Sequence, residues 1–596
     1  MVLEVNLLSF IKDSLLIMIS WLFLALSFHS WGGFFAKLVK IKIDGIKGNL
    51  SNIWLGWVFG VLFFAFYNLF LPINAFASCL FYFPGIIYFF IKYWKKLFKI
   101  NLSFEKVKIV AILLTLFMAA AVSIQLPMNY DTGLYHFNSI RWVNEHHIIK
   151  GLGNLHSRLG FNQLYFLYAA SLNFHPYLND YAYHSANSFL YALFLISMII
   201  GGTAIDLILL CLFFFIPMPY FWINNPCPDL ASTLLQMVAF RFFIEVVYYG
   251  NEKYKWQYIG LSAILSTAMV SIKLSNAAFA MGLAVVAVIF LRKSVLGDAE
   301  KRIIKGVCVF ITLYVFVWIL RGYIQTGYPL FPSSIGRINF DWTVPSELTI
   351  RTEKDVYVYA RIRCYDYDSP MLKDWSWLDP WFKESFFCYK DCITDDWAMN
   401  LYTIVLLIFF PMIMIYWGAG SLTLFVFCPF LFLVWVYAAV TQKEIWSKSI
   451  WLFVLLVFEI LSILFWCYTA PDPRFANAIF IILFVTCLMM IKKAYPSLKA
   501  GAKLKKCLLF YSFVMFVLCF WNDYSSGEFM INGMYVLNKI PMKTFVTQSG
   551  LSLLVPVVDN QCWDSALPST PEPDKDLALR GSTIDEGFCI KKIQNR

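Results

Sequence analysis

An all-α polytopic membrane protein of about 11–13 transmembrane helices is what this sequence predicts, and three observations carry the prediction. Of 596 residues, 60% are hydrophobic and 14% charged, with a mean hydropathy of +0.66, far too apolar for a soluble chain. Several uninterrupted apolar runs approach the roughly 20 residues that a helix needs to cross a bilayer. No strict alternation of the outer-membrane barrel kind occurs, so the spans are helical. The 21 Trp and 33 Tyr suit belts at the two membrane surfaces. A net charge of +11, from 48 Lys+Arg against 37 Asp+Glu, would suggest nucleic acid in a soluble protein. Here the Lys lies mainly in short connectors, so topology accounts for it and no nucleic-acid partner is expected.

Each element follows from the alternation of apolar runs with basic connectors, because Lys and Arg collect on the cytoplasmic side. The first run, 15–34, lacks a small-residue cleavage site after it and reads as a retained helix rather than a signal peptide. Lys37, Lys40, Lys42 and Lys47 then mark a cytoplasmic connector. Runs at 53–71 and 75–91 lead to a second basic stretch beginning at Lys92, so the next, 109–124, delivers Asp131 to the exterior. Residues 164–172 are too short to cross, whereas 182–201 and 205–222 form a down-and-up pair that leaves Asn224 to Asp229 outside. Runs at 230–248 and 258–270 cross inward and back to Lys273, 277–291 ends at the basic cluster from Arg292 to Lys305, and 307–320 carries Arg321 outward.

Residues 322–400 are polar, rich in Trp and Asp, and expected to form a large external loop. Two apolar runs, 401–417 and 422–440, then break the pattern. If both cross, Lys443, Lys448 and the Lys-rich connector 492–506 fall outside, against the same charge rule. One of them is therefore expected to be re-entrant, or an earlier run does not cross, with 468–475 outside and a last span at 508–520. The organisation is a transmembrane unit, 1–520, with external loops 126–180, 223–229, 322–400 and 468–475, and a small external C-terminal segment, 521–596. No internal repeat is visible. Among 14 Cys, Cys364, Cys388, Cys392, Cys562 and Cys589 fall in external regions. An oxidising compartment would allow one pair in the long loop and Cys562 with Cys589. No CxxC pair or His/Cys spacing of a structural zinc site is present.

The chemistry concentrates between residues 128 and 163. From Asp131 onward, Leu134, Phe137, Ile140 and Trp142–Val143 recur about every third residue, the pattern of a short amphipathic helix on the membrane surface. On that template Asp131, Tyr135, Asn138, Trp142 and Glu145 share another stripe, bringing two carboxylates, a phenol and an amide to one side. Asp131 before Thr132–Gly133 also fits ordinary helix N-capping, as does Asp229 after Pro228 at the start of a span. His136, His146 and His147 are ligand types, yet the adjacent pair points to different sides of a helix, so a polar interfacial role is the better reading and no metal site is assigned. Lys150, Arg158 and Gly151–Leu152–Gly153 offer donors to a phosphate, or to lipid headgroups.

Three further cations interrupt apolar surroundings: Lys273 in S-I-K-L-S, Arg321 before G-Y-I-Q-T-G-Y-P-L-F-P, and Arg474 in A-P-D-P-R-F. A charge at the bilayer centre costs about 2.5–3.5 kcal/mol on insertion scales and much less at the interface. Snorkelling explains each alone. Their shared outer side favours an anion site.

This order of parts resembles the GT-C class of membrane glycosyltransferases: an acid in the first large external loop, then Pro226-Cys227-Pro228-Asp229 before a span, a span-ending Lys273, R-G-Y-I-Q-T-G-Y-P-L-F-P, and A-P-D-P-R-F. It is especially similar to a group of bacterial multi-pass proteins carrying Y-D-T-G-L-Y-H with G-L-G-N-L-H-x-R-L-G-F-N. The resemblance spans about 109–490; the second motif set is specific to that group, and the match to the wider class rests on layout. It implies a GT-C-like fold and transfer of a sugar from a polyprenyl-phosphate donor to a glycan, lipid or protein acceptor, beside membrane lipids, on the outer face of a bacterial inner membrane.

By the same resemblance, Asp131 corresponds to the first-loop acid, a base or acceptor-positioning group, and Asp229 to the second-loop acid. Arg474, Lys273, Arg158 and Arg321 would hold the donor phosphate, and Tyr135, His136, Asn138 and Glu145 would line the substrate. Many class members pair acids in the first loop, whereas Tyr130 precedes Asp131 here, which leaves a divalent metal open. Two other readings compete: an O-antigen-type polymerase or ligase using a polyprenyl-pyrophosphate oligosaccharide, and a flippase without chemistry. The flippase predicts broken helices with acids at mid-membrane, whereas the acids here gather at one face.

Overall fold

A computed structural model describes residues 7–97, 106–127, 129–178, 181–214, 222–362, 367–381, 420–497, 534–537 and 539–591, with isolated residues between 501 and 510. The apolar runs fold as helices: α1 (Leu7–Leu38), α2 (Gly45–Tyr67), α3 (Ala75–Leu97), α4 (Lys106–Ser123), α5 (Phe137–Glu145), α6 (Tyr165–Ser171), α7 (Tyr181–Gly201), α8 (Ala204–Phe214), α9 (Pro228–Val247), α10 (Lys255–Ile272), α11 (Ala277–Lys293), α12 (Asp298–Thr326), α13 (Ser346–Ile362), α14 (Gly420–Thr441), α15 (Lys443–Thr469) and α16 (Asn477–Ala494). Among the described residues nine helices are long and apolar enough to cross a membrane, and three shorter apolar ones accompany them. The protein is an all-α multi-pass membrane protein.

Local chemistry sets the boundaries. Pro228 opens α9, where its missing N–H is no loss, and Gly327, at φ +81°, ends α12 with its N–H on Tyr323 O. Gly32 and Gly56 let α1 and α2 cross closely: a Cβ on Gly32 would stand 1.7 Å from Asn52 O, and one on Gly56 1.8 Å from Phe28 O. At the centre lies α9, buried along almost its whole length.

The two ends of the bundle differ in charge. At one end Lys47 pairs with Glu245 at 2.9 Å, Lys255 lies over Phe290, Lys293 over Trp451 and Lys493 over Tyr248. This places the α1–α2, α9–α10 and α11–α12 connectors, the start of α15 and the end of α16 together. Here α14 and α15 form a hairpin through Gln442. Lys448 and Lys492 thus share an end, and 468–475 lies at the other. Residues 401–417, and 508–520 apart from Phe510, lie outside the described residues.

The opposite end carries α5, α6, α13 and the C-terminal segment. The last holds two antiparallel pairs, β1 (Met542–Val546) with β2 (Ser552–Pro556) and β3 (Leu577–Leu579) with β4 (Phe588–Ile590). They close over the 142–159 stretch: Trp142, Ile149, Leu152, Leu155 and Leu159 form one apolar cluster with Leu553, Leu577 and Phe588.

Two expectations are corrected here. The helix after Asp131 does not lie on the membrane surface; α5 is enclosed between the bundle, through Phe137, Ile140 and Asn144, and the C-terminal strands, through Asn138 and Trp142. Both of its faces are buried, so its amphipathic pattern marks two protein partners. Cys562 and Cys589 are buried free thiols rather than a disulfide, and Cys364, Cys388 and Cys392 lie outside the described residues.

Candidate functional site

The turn that carries Asp131 is wound as a π-helix, Thr132–His136, before α5 begins. A π turn holds more residues than an α turn, so it rotates everything after it relative to Asp131. Asn129 starts the turn: its side-chain oxygen accepts the N–H of Asp131 at 2.9 Å and its carbonyl that of Thr132. Capping therefore falls to Asn129, and Asp131 itself has helical backbone angles and no capping bond. Trp563 holds the turn from the other side, its N–H on Gly133 O at 2.8 Å, and a Cβ on Gly133 would meet its ring at 2.6 Å.

Freed from capping, the Asp131 carboxylate lies between two arginines. Arg158, on a short 3-10 turn, reaches one oxygen at 3.4 Å; Arg474, from the Pro473–Phe475 turn between α15 and α16, reaches the other at 3.3 Å. Arg474 also meets Asp472 at 3.0 Å. Lys273, ending α10, contacts Asp229 in the first turn of α9. The two halves meet at Phe475, whose ring lies 3.5 Å from Lys273 Nζ and 4.8 Å from the Arg474 guanidinium. Asn129 bridges them from below, donating to Cys227 Sγ at 3.6 Å. Two guanidiniums, the Lys273 amine and three carboxylates from five chain segments thus form one cluster at the N-terminus of the central helix, where burial and the nearby Arg474 push the Lys273 amine well below the usual lysine range.

Its electrostatics follow from burial and these neighbours. Burial pushes the Asp131 carboxyl up, but Arg474 and Arg158 outweigh it and hold it below the usual carboxylate range. Burial pushes His136 down to about 3 against the pull of Asp131, so the imidazole is neutral at physiological pH; its Nδ1 lies 3.2 Å from Thr132 Oγ1. Burial also pushes the Cys227 thiol up to about 12, so it is not a thiolate nucleophile. Tyr135 packs its ring 5.7 Å from Arg158, and burial raises its phenol.

The structure thus brings together Asp131, Asp229, Arg158, Lys273 and Arg474, with Tyr135 and His136 beside them. Three other candidates belong elsewhere. Arg321 is buried in α12 and donates to Ala65 O and Asn68 Oδ1, both at 3.2 Å, fixing α12 to the end of α2. Asn138 donates to Ser569 of the C-terminal segment at 2.7 Å, and Glu145 pairs with Arg141 at 2.6 Å. An α-helical template groups both with Asp131, and the π turn is why that grouping fails. Asp229 does not cap α9 by its side chain. Lys150 lies over Trp342 and the Gly151–Gly153 turn packs beneath Phe588, so neither faces the cluster. His146 and His147 approach Asp585 at 2.7 and 3.8 Å and dock the C-terminal segment.

Asp472, Asn129 and Phe475 escaped sequence reasoning. For Asp472 the signal was in view, two residues before Arg474 and between prolines. As for the metal left open by the resemblance, no three His, Cys, Asp or Glu gather as a ligand set among the described residues. Asp131 and Asp229 each face a cation instead of one another. This donor set does not fit a divalent ion.

Residues 15–481, most of the chain, match the family described as a domain of unknown function, DUF8201. No curated protein and no solved structure matches.

Proposed function

The chain belongs to this family, and as a member of it, we propose, it is a membrane glycosyltransferase that moves a sugar from a polyprenyl-phosphate donor to a glycan, lipid or protein acceptor. The observation that carries the reading is the convergence of Arg158, Lys273 and Arg474 with Asp131 and Asp229 at the end of the bundle opposite the Lys-rich connectors. The charge rule assigns that end to the exterior, which in a bacterial inner membrane is the periplasmic face.

The chemistry balances in one displacement. The acceptor hydroxyl oxygen attacks the anomeric carbon while the bond from that carbon to the phosphate oxygen breaks on the opposite face. The hydroxyl proton passes to Asp131, which is ionised at neutral pH. The departing lipid phosphate keeps the bonding electrons, and Arg474, Lys273 and Arg158 take up its charge, in place of a general acid. Lysine acts as a point charge and the arginines as two-pronged donors. A long isoprenoid stays in the bilayer, which is why such a site is carried on so many spans.

The test is transfer from a polyprenyl-phosphate sugar by the full-length protein in nanodiscs. Asp131→Asn, expressed at the wild-type level, is expected to lose about 10²–10⁴-fold, the usual contribution of a positioned base. Unchanged transfer would overturn the reading. In a deletion strain the accumulating lipid should be a monosaccharide phosphate; an oligosaccharide diphosphate would assign the site to a polymerase or ligase instead.

A further inference from the structure

A cavity lies at the same end of the bundle, outside the charge cluster. It measures about 440 Å³ and is formed between α13, the 367–381 segment and the last turn of α15, within the size range of small-molecule sites. Aromatic rings make much of its wall: Tyr357, Trp375, Trp377 and Tyr468. Trp375 and Trp377 are stacked with centroids 6.1 Å apart, and Trp375 and Tyr468 are 65% and 80% exposed.

Charged groups of both signs complete the lining: Glu353 and Asp374 against Arg361 and Lys373. Arg361 is a fixed part of the wall. Its guanidinium lies 3.4 Å from the Tyr357 ring and 4.9 Å from that of Trp377, and it donates to the carbonyls of Tyr468 and Thr469 at 2.8 and 3.1 Å. Rings held flat beside a mixture of carboxylates and cations suit a ligand with apolar C–H faces and many hydroxyl groups. An anionic headgroup would meet Glu353 and Asp374 as repulsion, and a plain apolar chain would strip water from the exposed Glu353, Lys373 and Asp374 without replacing its hydrogen bonds.

The cavity is mechanically continuous with the cluster. Trp377 packs edge-on against Trp381 at 6.0 Å, Trp381 donates to Pro471 O at 2.6 Å, and Trp466 donates to Asp472 O at 2.8 Å. The wall residues Cys467 to Ala470 run directly into the turn that presents Asp472 and Arg474.

We infer that this cavity is the acceptor subsite and takes the end of a neutral, hydroxyl-rich glycan, stacked on the exposed ring of Trp375, which the buried Trp377 backs, and flanked by Tyr468, with its reacting hydroxyl directed toward the Pro471–Arg474 turn. The inference rests on the glycosyltransferase reading for the word acceptor, but glycan binding stands or falls separately. Full-length protein in nanodiscs is applied to a printed array of neutral oligosaccharides built from hexoses, N-acetylhexosamines and deoxyhexoses, and hits are measured by saturation-transfer NMR.

Wild type is expected to bind one structural class. Trp375→Ala, which removes an exposed ring and leaves the fold intact, should weaken it at least tenfold. Arg474→Gln should retain glycan binding while losing affinity for a polyprenyl phosphate. Absence of any bound glycan, binding equal in Trp375→Ala, or signal matched by empty nanodiscs of the same lipid would overturn the proposal. Glycan binding without any sugar transfer would overturn the enzymatic reading and leave the subsite standing.

Discussion

Asp131→Asn keeps the size of the side chain and deletes the charge that Arg158 and Arg474 share. The contacts are 3.4 and 3.3 Å, and the three side chains are only 19, 26 and 21% exposed. At an effective dielectric constant of about 20, each contact is a gross attraction of about 5 kcal/mol. Desolvation cancels much of that, and removing one member of a fully buried pair costs about 3–5 kcal/mol net. Partial exposure brings the expectation for Asp131→Asn to about 2–4 kcal/mol. The assay is reversible unfolding of the purified protein in mixed micelles, with Arg474→Gln and the double variant completing a cycle; the coupling should exceed about 1 kcal/mol. Glu444→Gln is the control: the Lys448–Glu444 contact is shorter, 2.9 Å, but its side chains are 59 and 84% exposed, so no measurable change is expected. The sign in acid follows from the depressed Asp131 carboxyl. Its contribution is present above the unfolded value of about 3.9 and fades as pH falls through the lower folded value. The gap between wild type and variant should therefore hold through neutral pH and close only in acid. A variant as stable as wild type, or a gap that closes near neutrality, would refute the picture of a carboxylate held between two guanidiniums.

Other expectations are simpler to check. Because burial holds His136 near 3, the pH profile of transfer should lack an inflection near the ordinary histidine value of about 6.5, and one removed by His136→Gln would count against its neutral state. Alkylating the denatured protein without reductant should label both Cys562 and Cys589 by mass spectrometry, since both are free thiols; a cross-linked peptide would disprove it. Gly151→Ala should loosen the C-terminal segment, because φ is +65° and the added carbon would stand 2.2 Å from Phe588 O. Backbone strain of that kind costs about 1–3 kcal/mol, readable as faster protease cleavage between residues 539 and 591.

The spans were legible because a bilayer imposes both length and apolarity on a helix, and the basic connectors mark one end without reference to tertiary contacts. Asp131, Asp229, Lys273 and Arg474 were visible for a related reason: charges amid apolar sequence at helix ends are conspicuous. Three things were hidden. The π turn at Thr132–His136 has no sequence period of its own, so Asn138 and Glu145 were carried onto the wrong face. The burial of α5 on both sides depends on a C-terminal segment some four hundred residues away, through contacts such as Asn138 to Ser569. Arg321 looked like an anion ligand because its partners are a backbone carbonyl and an amide, which leave no complementary charge in the sequence to betray them.

The pairing of Asp131 with arginines poses a question for its role as a base, since a carboxylate stabilised by cations accepts protons poorly. The cluster itself supplies the resolution. Its cations are already matched by Asp131, Asp229 and Asp472, so an arriving phosphate must draw them away from carboxylates. On the proposed glycosyltransferase reading, Arg474 drawn to the donor phosphate would cost Asp131 the neighbour that depresses it most, and its basicity would rise with the donor in place. Arg158→Gln mimics half of that change in the resting protein. Removing this cation raises the Asp131 carboxyl, so the acid limb of the pH–rate profile should move to higher pH relative to wild type. A limb that stays in place, or moves toward lower pH, would mean that Asp131 is not the group taking the proton and acts only by positioning the arginines.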